Sequence, residues 1–308
     1  MTSALSPTSS SPGRAAPSVL GKTSTRSGRR PDSIRFGPSA HGIERAEVYL
    51  STCAFEPHRH DTYAIGITTL GVQTFHYRGS RHICLPGQLH VLHPDEAHDG
   101  AAGTDGGFGY RILYIPPELV RAALAGRALP FVADPIQHVI PAAGPVASLL
   151  SDIDEPINEL SSAEIAVAVA DALVALSGYP DHRPAAIDTR AVELARDYLA
   201  AHAREQTSAS ILETIAGTDR FTIARHFRWA FGTSPDRYRT LRRLALARAA
   251  IENGQPLALA ASEAGFADQS HMTRQFKRTY GLTPGRWMAL TLRCDDGHTS
   301  MAPPTLRR

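Results

Sequence analysis

The sequence predicts an α+β chain of two domains, an antiparallel β-barrel with accompanying helices followed by an all-α domain. Three observations predict it. Between residues 46 and 115, short segments of alternating or continuous apolar character are separated by turn residues. From about residue 188 to 290 the apolar spacing is helical, with glycines at the breaks. A segment of that helical part recurs at an offset of 49 residues, from Arg225 to Arg274, and such a repeat is one supersecondary unit used twice.

The composition is that of an ordinary globular protein: 308 residues, 43% hydrophobic and 20% charged. The three cysteines are far apart and suit neither a disulfide framework nor a paired-cysteine metal site. No apolar run of membrane-spanning length stands out, so we expect a cytoplasmic protein with no membrane partner. Residues 187–308 contain 18 Lys and Arg against 12 Asp and Glu, whereas residues 1–186 contain 14 against 18. This excess of positive charge predicts a polyanionic partner for the C-terminal part.

Composition also suggests the domain boundaries. Residues 1–33 are mainly Ser, Thr, Pro, Gly and Arg, which predicts a disordered tail. The β-rich domain is expected over residues 34–178 and the helical domain over residues 188–290. A linker over 179–187 and a flexible tail over 291–308 complete the chain.

Each predicted element follows from a local pattern. Helix 162–176 is apolar on most sides, so it is either buried or pairs with another subunit, and monomer and homodimer both stay open. Prolines at the start of helix 117–125 suit the first turn of a helix. Strands are predicted at residues 47–51, 63–70, 73–77, 82–85, 89–92 and 110–115, and helices at 117–125, 146–150 and 162–176.

The repeat has the organisation of a helix-turn-helix unit. In the first copy, helix 212–216 precedes Gly217, and Asp219 caps helix 220–231. In the second, helix 257–264 precedes Gly265 and helix 268–280 follows. The helix between the copies, 235–252, would span about 27 Å at 1.5 Å per residue. That length suits two recognition helices about 34 Å, or one DNA turn, apart. We therefore predict a double helix-turn-helix domain.

The outward positions of both capped helices carry side chains of the types that can contact DNA. Arginine can bond guanine bidentately and glutamine can bond adenine, whereas phosphate contacts only position the protein. Lys277, Arg228, Arg242 and Arg243 are predicted phosphate contacts. Local ion pairs that brace the helices are the alternative role for Arg225 and Arg274. The candidate DNA-binding residues are Arg220, Phe221, Ala224, Arg225 and Arg228, then Gln269, Ser270, His271, Thr273, Arg274 and Lys277.

These residues resemble a known family. Residues 268–278, Asp-Gln-Ser-His-Met-Thr-Arg-Gln-Phe-Lys-Arg, with Gly-Leu-Thr-Pro at 281–284, resemble the signature of the AraC/XylS transcription regulators. Residues 219–238 resemble their upstream helix-turn-helix. The resemblance covers about residues 188–290 and implies a sequence-specific regulator that binds promoter or operator DNA and works with RNA polymerase. Two departures are Ala260, where the family has a bulkier aliphatic residue, and a first helix, 212–216, shorter than usual.

The β domain is rich in histidine. Residues 57–60, Pro-His-Arg-His, and 94–98, Pro-Asp-Glu-Ala-His, resemble the histidine motifs of the cupin barrel, the usual effector domain of these regulators. In one strand His58 and His60 would point the same way, and His98 could complete a three-histidine site for zinc or iron. Metal-binding cupins, however, carry a glutamate a few residues later, where this chain has Tyr63. We therefore predict a pocket without metal or cofactor; the candidate effector-binding residues are His58, His60, Tyr63, Phe75, Tyr77 and His98.

Two functions follow from these expectations, and a third possibility is that the barrel serves only for dimerisation or partner docking. The first is a DNA-binding transcription regulator, not an enzyme, whose activity is modulated by a small effector in the N-terminal barrel. The alternative is a metal-dependent cupin enzyme with an appended helical domain. That enzyme needs a bound metal, or a nucleophile beside a base, and the sequence shows neither plainly. The identity of the effector, the operator sequence and the direction of regulation stay open, as does the question of whether the barrel histidines bind a metal.

Overall fold

The computed structural model describes residues 30–125, 127–138, 141–177 and 187–291. The expected C-terminal tail after residue 291, most of the linker and nearly all of the N-terminal tail lie outside the described residues. The described residues from Pro31 onward form one compact unit. The first strand begins at Ser33, which the sequence had placed as the last residue of the N-terminal tail.

The β domain consists of two antiparallel sheets, as the cupin-like prediction requires. The six-stranded sheet has the order β1-β2-β9-β4-β7-β10, and the four-stranded sheet has the order β3-β8-β5-β6. The strands are β1 Ser33–Phe36, β2 Glu44–Leu50, β3 Phe55–His58, β4 Tyr63–Gly71, β5 Gln73–Tyr77, β6 Ser80–Cys84, β7 Gln88–Leu92, β8 His98–Ala102, β9 Phe108–Ile115 and β10 Ile136–His138.

All six predicted strands are present, and four further strands were missed. β3 contains a proline and two charged or polar neighbours, and β8 reads His-Asp-Gly-Ala-Ala, so neither shows apolar alternation. β3 ends at His58, which pairs with His98 across the ladder. His60 therefore lies beyond the strand, and the expectation that His58 and His60 share one strand is wrong.

Three helices cover the outer face of the six-stranded sheet: α1 Pro117–Ala123, α2 Gly144–Leu149 and α3 Glu159–Ser177. By length and composition α3 could cross a membrane, contrary to the expectation from the sequence. One such helix is weak support for a span, because the inner side of α3 packs in the protein core. Ile165, Val169 and Leu173 are buried with Ile65 and Leu113 of the sheet.

The all-α domain consists of α4 Thr189–Ala201, α5 Ala209–Ala216, α6 Arg220–Phe231, α7 Pro235–Glu252, α8 Leu257–Glu263, α9 Gln269–Tyr280 and α10 Pro284–Thr291. Local chemistry sets the ends of α6 and α9. The Asp219 carboxylate accepts from the amides of Phe221 and Thr222, and the Asp268 carboxylate accepts from the amide of His271. α5 begins earlier than predicted because Ser208 caps it, so the expected shortness of this helix is wrong.

The barrel and the helical domain share one core. Val48 and Leu92 of the barrel are buried in the same cluster as Leu244, Phe276 and Trp287 of the helices. The first helix-turn-helix unit has a separate core around Ile223, Phe227 and Phe231. The second unit is therefore the one whose core continues into the barrel.

Candidate DNA interface and ligand cavity

The first recognition helix, α6, separates a buried face from an exposed one. Ile223 and Phe227 are buried, and Phe221, on the other side of the helix, is 76% exposed. The five candidate residues of this unit, Arg220, Phe221, Ala224, Arg225 and Arg228, are all exposed. A helix with this arrangement can offer aromatic and cationic groups to a polyanion.

Arg220 differs from the other arginines of α6. Its guanidinium forms two hydrogen bonds with Glu213 of α5, at 2.8 and 3.0 Å, and its amide donates to the same carboxylate. Arg220 thus joins the two helices of the unit. Arg225 donates to the Thr222 hydroxyl at 3.3 Å. In the part of the chain that the structure describes, neither Arg225 nor Arg274 has an ion pair, which argues against a bracing role for these two.

The second recognition helix, α9, presents a more polar surface. Met272 and Phe276 are fully buried beneath it. Gln269, Ser270 and Arg274 are exposed, and His271, Thr273 and Lys277 are half-buried. These six residues are the candidates of the second unit.

Lys277 already has an anionic partner in the barrel. Its ammonium lies 2.7 Å from the Glu56 carboxylate of β3. The backbone supports this contact, because the Glu56 amide donates to the Gly281 carbonyl at 3.0 Å, just after α9 ends. The end of the second recognition helix is therefore fastened to β3.

The prediction that Arg242 and Arg243 contact phosphate is wrong. Arg243 is buried and donates to the carbonyls of Ala203 and Glu205, which satisfies a helix end inside the domain. Arg242 lies at the junction with the barrel and forms a 2.9 Å ion pair with Asp61. In α7, Arg243 thus bonds carbonyl groups inside the helical domain, and Arg242 bonds the barrel at the domain junction.

A cavity of about 340 Å³ lies between the barrel and helices α7, α9 and α10. His58, His60, Phe75 and His98, four of the candidate effector-binding residues, line it. Sequence reasoning missed half of this site, because the helical domain contributes the opposite wall. The lining residues of that wall are Leu241, Arg242, Ala245, Arg248, Ala249, Glu252, Thr279, Tyr280 and Trp287.

Two candidate effector-binding tyrosines lie elsewhere. Tyr63 belongs to the outer core under the helices, and its hydroxyl donates to the Pro130 carbonyl at 3.2 Å. The Tyr77 hydroxyl is bonded to His93, accepting from its amide at 3.2 Å. Both side chains are buried and occupied by these bonds, so they do not line the cavity.

The three candidate histidines are held in one orientation by the backbone. The Nδ1 groups of His58, His60 and His98 donate to the carbonyls of Glu56, Thr62 and Glu96 at 2.8, 2.9 and 3.0 Å. Burial lowers the pKa of His58 to about 4 and that of His60 to about 3, and it holds the pKa of His98 well below its usual value. At neutral pH all three are neutral, and each Nε2 carries a free lone pair.

The ring centroid of His98 lies 4.2 Å from that of His58 and 4.9 Å from that of His60. Even so, within the described ranges no group of three or more His, Cys, Asp or Glu side chains is arranged to hold a metal ion. Among the described residues, these histidines are therefore not arranged as the metal site that the barrel motif implies.

A second ion pair links the two walls of the cavity. Both terminal nitrogens of Arg248 bond the Glu44 carboxylate, one of them at 3.1 Å. The guanidinium also lies 5.5 Å from the ring centroid of Phe36 and 5.7 Å from that of Trp287. Together with Asp61 and Arg242, these residues make the cavity a part of the domain junction.

Comparison with known proteins gives the same division of the chain. The AraC-like ligand binding domain matches residues 40–171, and a helix-turn-helix domain matches residues 212–289. The chain is 26% identical over 254 residues to the uncharacterized HTH-type transcriptional regulator YbfI of Bacillus subtilis, covering 78% of this chain and 89% of YbfI. It is 30% identical over 92 residues to the probable transcriptional regulator LumQ of Photobacterium leiognathi, covering 30% of this chain and 37% of LumQ.

Solved structures support the fold. ToxT from Vibrio cholerae superimposes with a TM-score of 0.58 at 12% identity, covering 81% of this chain and 99% of ToxT. ToxT bound to an unsaturated fatty acid gives a TM-score of 0.55 at 12% identity, covering 85% of this chain and 95% of ToxT. At this identity the likeness concerns the two-domain architecture alone.

Proposed function

Because the chain is an AraC-type transcription regulator with a ligand-binding N-terminal domain, we propose that it reads two successive major-groove segments of one operator. The helices α6 and α9 would enter the grooves, and an effector in the cavity would adjust the affinity. One observation carries the proposal: the second recognition helix and the wall of the cavity belong to the same helical body. A ligand in the cavity therefore touches the body that reads DNA.

The exposed faces of the two recognition helices support distinct roles for their side chains. Arg225 and Arg274 are exposed and unpaired among the described residues, so they are the proposed base-reading arginines. Gln269 and Ser270, in the first turn of α9, would read neighbouring bases. Arg228 and Lys277 are the proposed phosphate contacts, which set register without reading sequence.

The effector would act through the domain junction. A ligand shifts an equilibrium between two arrangements only by its difference in affinity for them. The cavity is bounded by both domains, so any rotation of the helical body against the barrel changes its shape. The solved ToxT structures hold an unsaturated fatty acid and a naphthalenyl butenoic acid. We propose an effector of similar size, mostly apolar, in the corresponding cavity of this chain.

The remaining partners follow from surfaces and family. The outer side of α3 exposes Leu160 and Val167, 70% and 49% accessible, and is the proposed surface for a homodimer. RNA polymerase would be the partner at the promoter. We propose a cytoplasmic protein that performs no catalysis, because the side chains of the recognition helices and of the cavity are suited to binding.

The test begins with selection of bound duplexes from a random DNA pool at a stated salt concentration. Arg225→Ala and Arg274→Ala should each weaken binding to the selected duplex by about 1–3 kcal/mol while leaving binding to random DNA nearly unchanged. Arg190→Ala, at an exposed position on α4, is the matched control and should alter neither. Equal losses on both kinds of DNA, or failure to enrich any sequence, would contradict the proposal.

A further inference from the structure

The charge of the cavity lining identifies a class of ligand. Four carboxylates line the cavity, from Glu44, Asp61, Asp99 and Glu252, against two guanidinium groups, from Arg242 and Arg248. The lining histidines are neutral at pH 7 because burial lowers the pKa of each. The lining therefore holds two more carboxylates than guanidinium groups, and one of these carboxylates, that of Asp99, also bonds the ring of His76 at 2.9 Å.

Both guanidinium groups of the lining already bond a carboxylate. Arg242 is paired with Asp61 at 2.9 Å, and its guanidinium lies 4.9 Å from the ring centroid of Tyr238. Arg248 bonds Glu44 through both terminal nitrogens and lies 3.4 Å from Glu252 through Nε. An acid could recruit Arg248 only by displacing a carboxylate that joins the two domains, and that displaced carboxylate would then be unpaired.

Three histidines of the lining are hydrogen-bond acceptors toward the ligand. His58, His60 and His98 use their Nδ1 protons on backbone carbonyls, so each Nε2 can only accept while the ring is neutral. A carboxylate would meet three acceptors and an excess of negative charge. An ammonium group offers three donors, and the histidine Nε2 atoms could accept from them.

Aromatic rings complete the lining on both walls. Phe36, Phe75, Tyr114, Tyr280 and Trp287 all border the cavity. The faces of aromatic rings attract organic cations, most strongly where water is excluded. Glu252 lies at the end of α7, and burial raises the pKa of its carboxyl, so a nearby cation would relieve the cost of keeping it ionised.

We propose that the ligand of this cavity is an organic cation, an amine carried on an aromatic or apolar skeleton, and not a carboxylic acid. The inference rests on the proposed function, since it names the chemistry of the effector at that same site. The amine would contact Glu252 and the histidine acceptors, and the skeleton would pack among the rings. A volume of about 340 Å³ is at the lower end of the usual ligand pocket, about 300–1,000 Å³, and so suits a small molecule.

The experiment compares ligands that share a skeleton and differ in charge. Thermal unfolding of the full chain would be followed with phenethylamine, phenethyl alcohol and 3-phenylpropionate, and again with tryptamine and 3-indolepropionate. The amine of each set should raise Tm most and bind at least roughly tenfold more tightly than the acid by calorimetry. Stabilisation by the acids alone, or by no member of either set, would overturn the inference.

Variants locate the effect. Glu252→Gln should weaken binding of the amine by about two- to fivefold, the contribution of a partly exposed ion pair. The Tm of the free protein should change little, since the half-exposed carboxylate is at a helix C-terminus. Glu263→Gln, an exposed position on α8 outside the cavity, is the matched control. Equal affinity for the amine in both variants would contradict the placement. Failure to select an operator would contradict the proposed function and leave this comparison of ligands intact.

Discussion

Lys277 has two candidate partners, the phosphate of DNA and the Glu56 carboxylate of the barrel. The 2.7 Å ion pair in this structure occupies the ammonium that the sequence assigns to DNA. A carboxylate beside the recognition helix also repels the phosphate backbone. If Lys277 contacts phosphate as proposed, Glu56 competes with DNA for the same positive charge.

We expect Glu56→Gln to tighten binding to random duplex DNA by about two- to fivefold, because both partners are partly exposed and such pairs contribute about 0.2–1 kcal/mol. The dependence of affinity on salt should steepen by about one unit, as expected for one added phosphate contact. Fluorescence anisotropy from 50 to 300 mM salt would measure both. Lys277→Gln should abolish the gain, and an unchanged salt dependence would contradict this competition.

Buried histidines make the stability of the barrel depend on pH. His90 is almost fully buried, and burial lowers its pKa to about 4. The unfolded chain binds a proton near pH 6.5, while the folded chain stays neutral until about pH 4. Over that window the unfolded state holds more protons, so the free energy of unfolding falls as the pH falls, by about 1.4 kcal/mol per pH unit for each such histidine.

Urea unfolding at pH 7, 6 and 5 would measure this dependence. His90→Gln should make the slope shallower. A stability that does not vary between pH 7 and 5 would refute the assignment of neutral histidines to the folded state.

At the scale of elements, the ends of the helix-turn-helix helices follow from local chemistry. Gly217 and Gly281 both end a helix in the left-handed region, with φ of 66° and 71°. Their surroundings differ. A Cβ on Gly217 would meet nothing within 4 Å, whereas one on Gly281 would lie 2.8 Å from His58 Nδ1 and 3.1 Å from the Glu56 carbonyl oxygen.

Substituting alanine at these two glycines separates backbone cost from packing cost. Gly217→Ala should lower the free energy of unfolding by about 1–2 kcal/mol, the cost of a left-handed alanine. Gly281→Ala should cost clearly more, because β3 must also move. Chemical unfolding of both variants measures the difference. Equal losses of unfolding free energy would contradict this expectation, because they would mean that β3 can move away from the new Cβ at no cost.

Elements without a regular pattern could not be predicted from the sequence. The limits of α6 and α7 were predicted because aspartate, serine and glycine mark them. β3 and β8 have no apolar alternation. They become strands because they pair with each other, on the register Phe55 with Gly100 and His58 with His98, and because β8 also pairs with β5. Their stability depends on tertiary pairing, which local sequence does not reveal.

At the scale of the whole molecule, two ion pairs cross between the barrel and α7, Glu44 with Arg248 and Asp61 with Arg242. These pairs border the cavity and lie at the contact of the domains. Because Arg248 is mostly buried, removing one partner leaves an unpaired charge in a poorly hydrated place. Domain coupling and ligand binding therefore share the same side chains.

A double-mutant cycle of Glu44→Gln and Arg248→Met should give a coupling free energy of about 0.5–3 kcal/mol in urea unfolding, because the two charges depend on each other. The exposed pair of Glu213 and Arg220, within one helix-turn-helix unit, is the control and should give at most about 1 kcal/mol. A coupling at Glu44 and Arg248 no larger than that of the control would argue against a strong link between the domains.

The amino-acid sequence by itself determined the two-domain architecture, the repeated helix-turn-helix unit and the exposed residues of both recognition helices. These features follow from periodicity and from capping residues, which act over a few neighbouring positions. Only the tertiary structure decided which face of the barrel holds the cavity, that α7 and α10 close it, and that Arg242 and Arg243 point inward. Those outcomes depend on contacts between segments up to about 200 residues apart, such as Glu44 with Arg248, and the burial that creates them has no local signal in the chain.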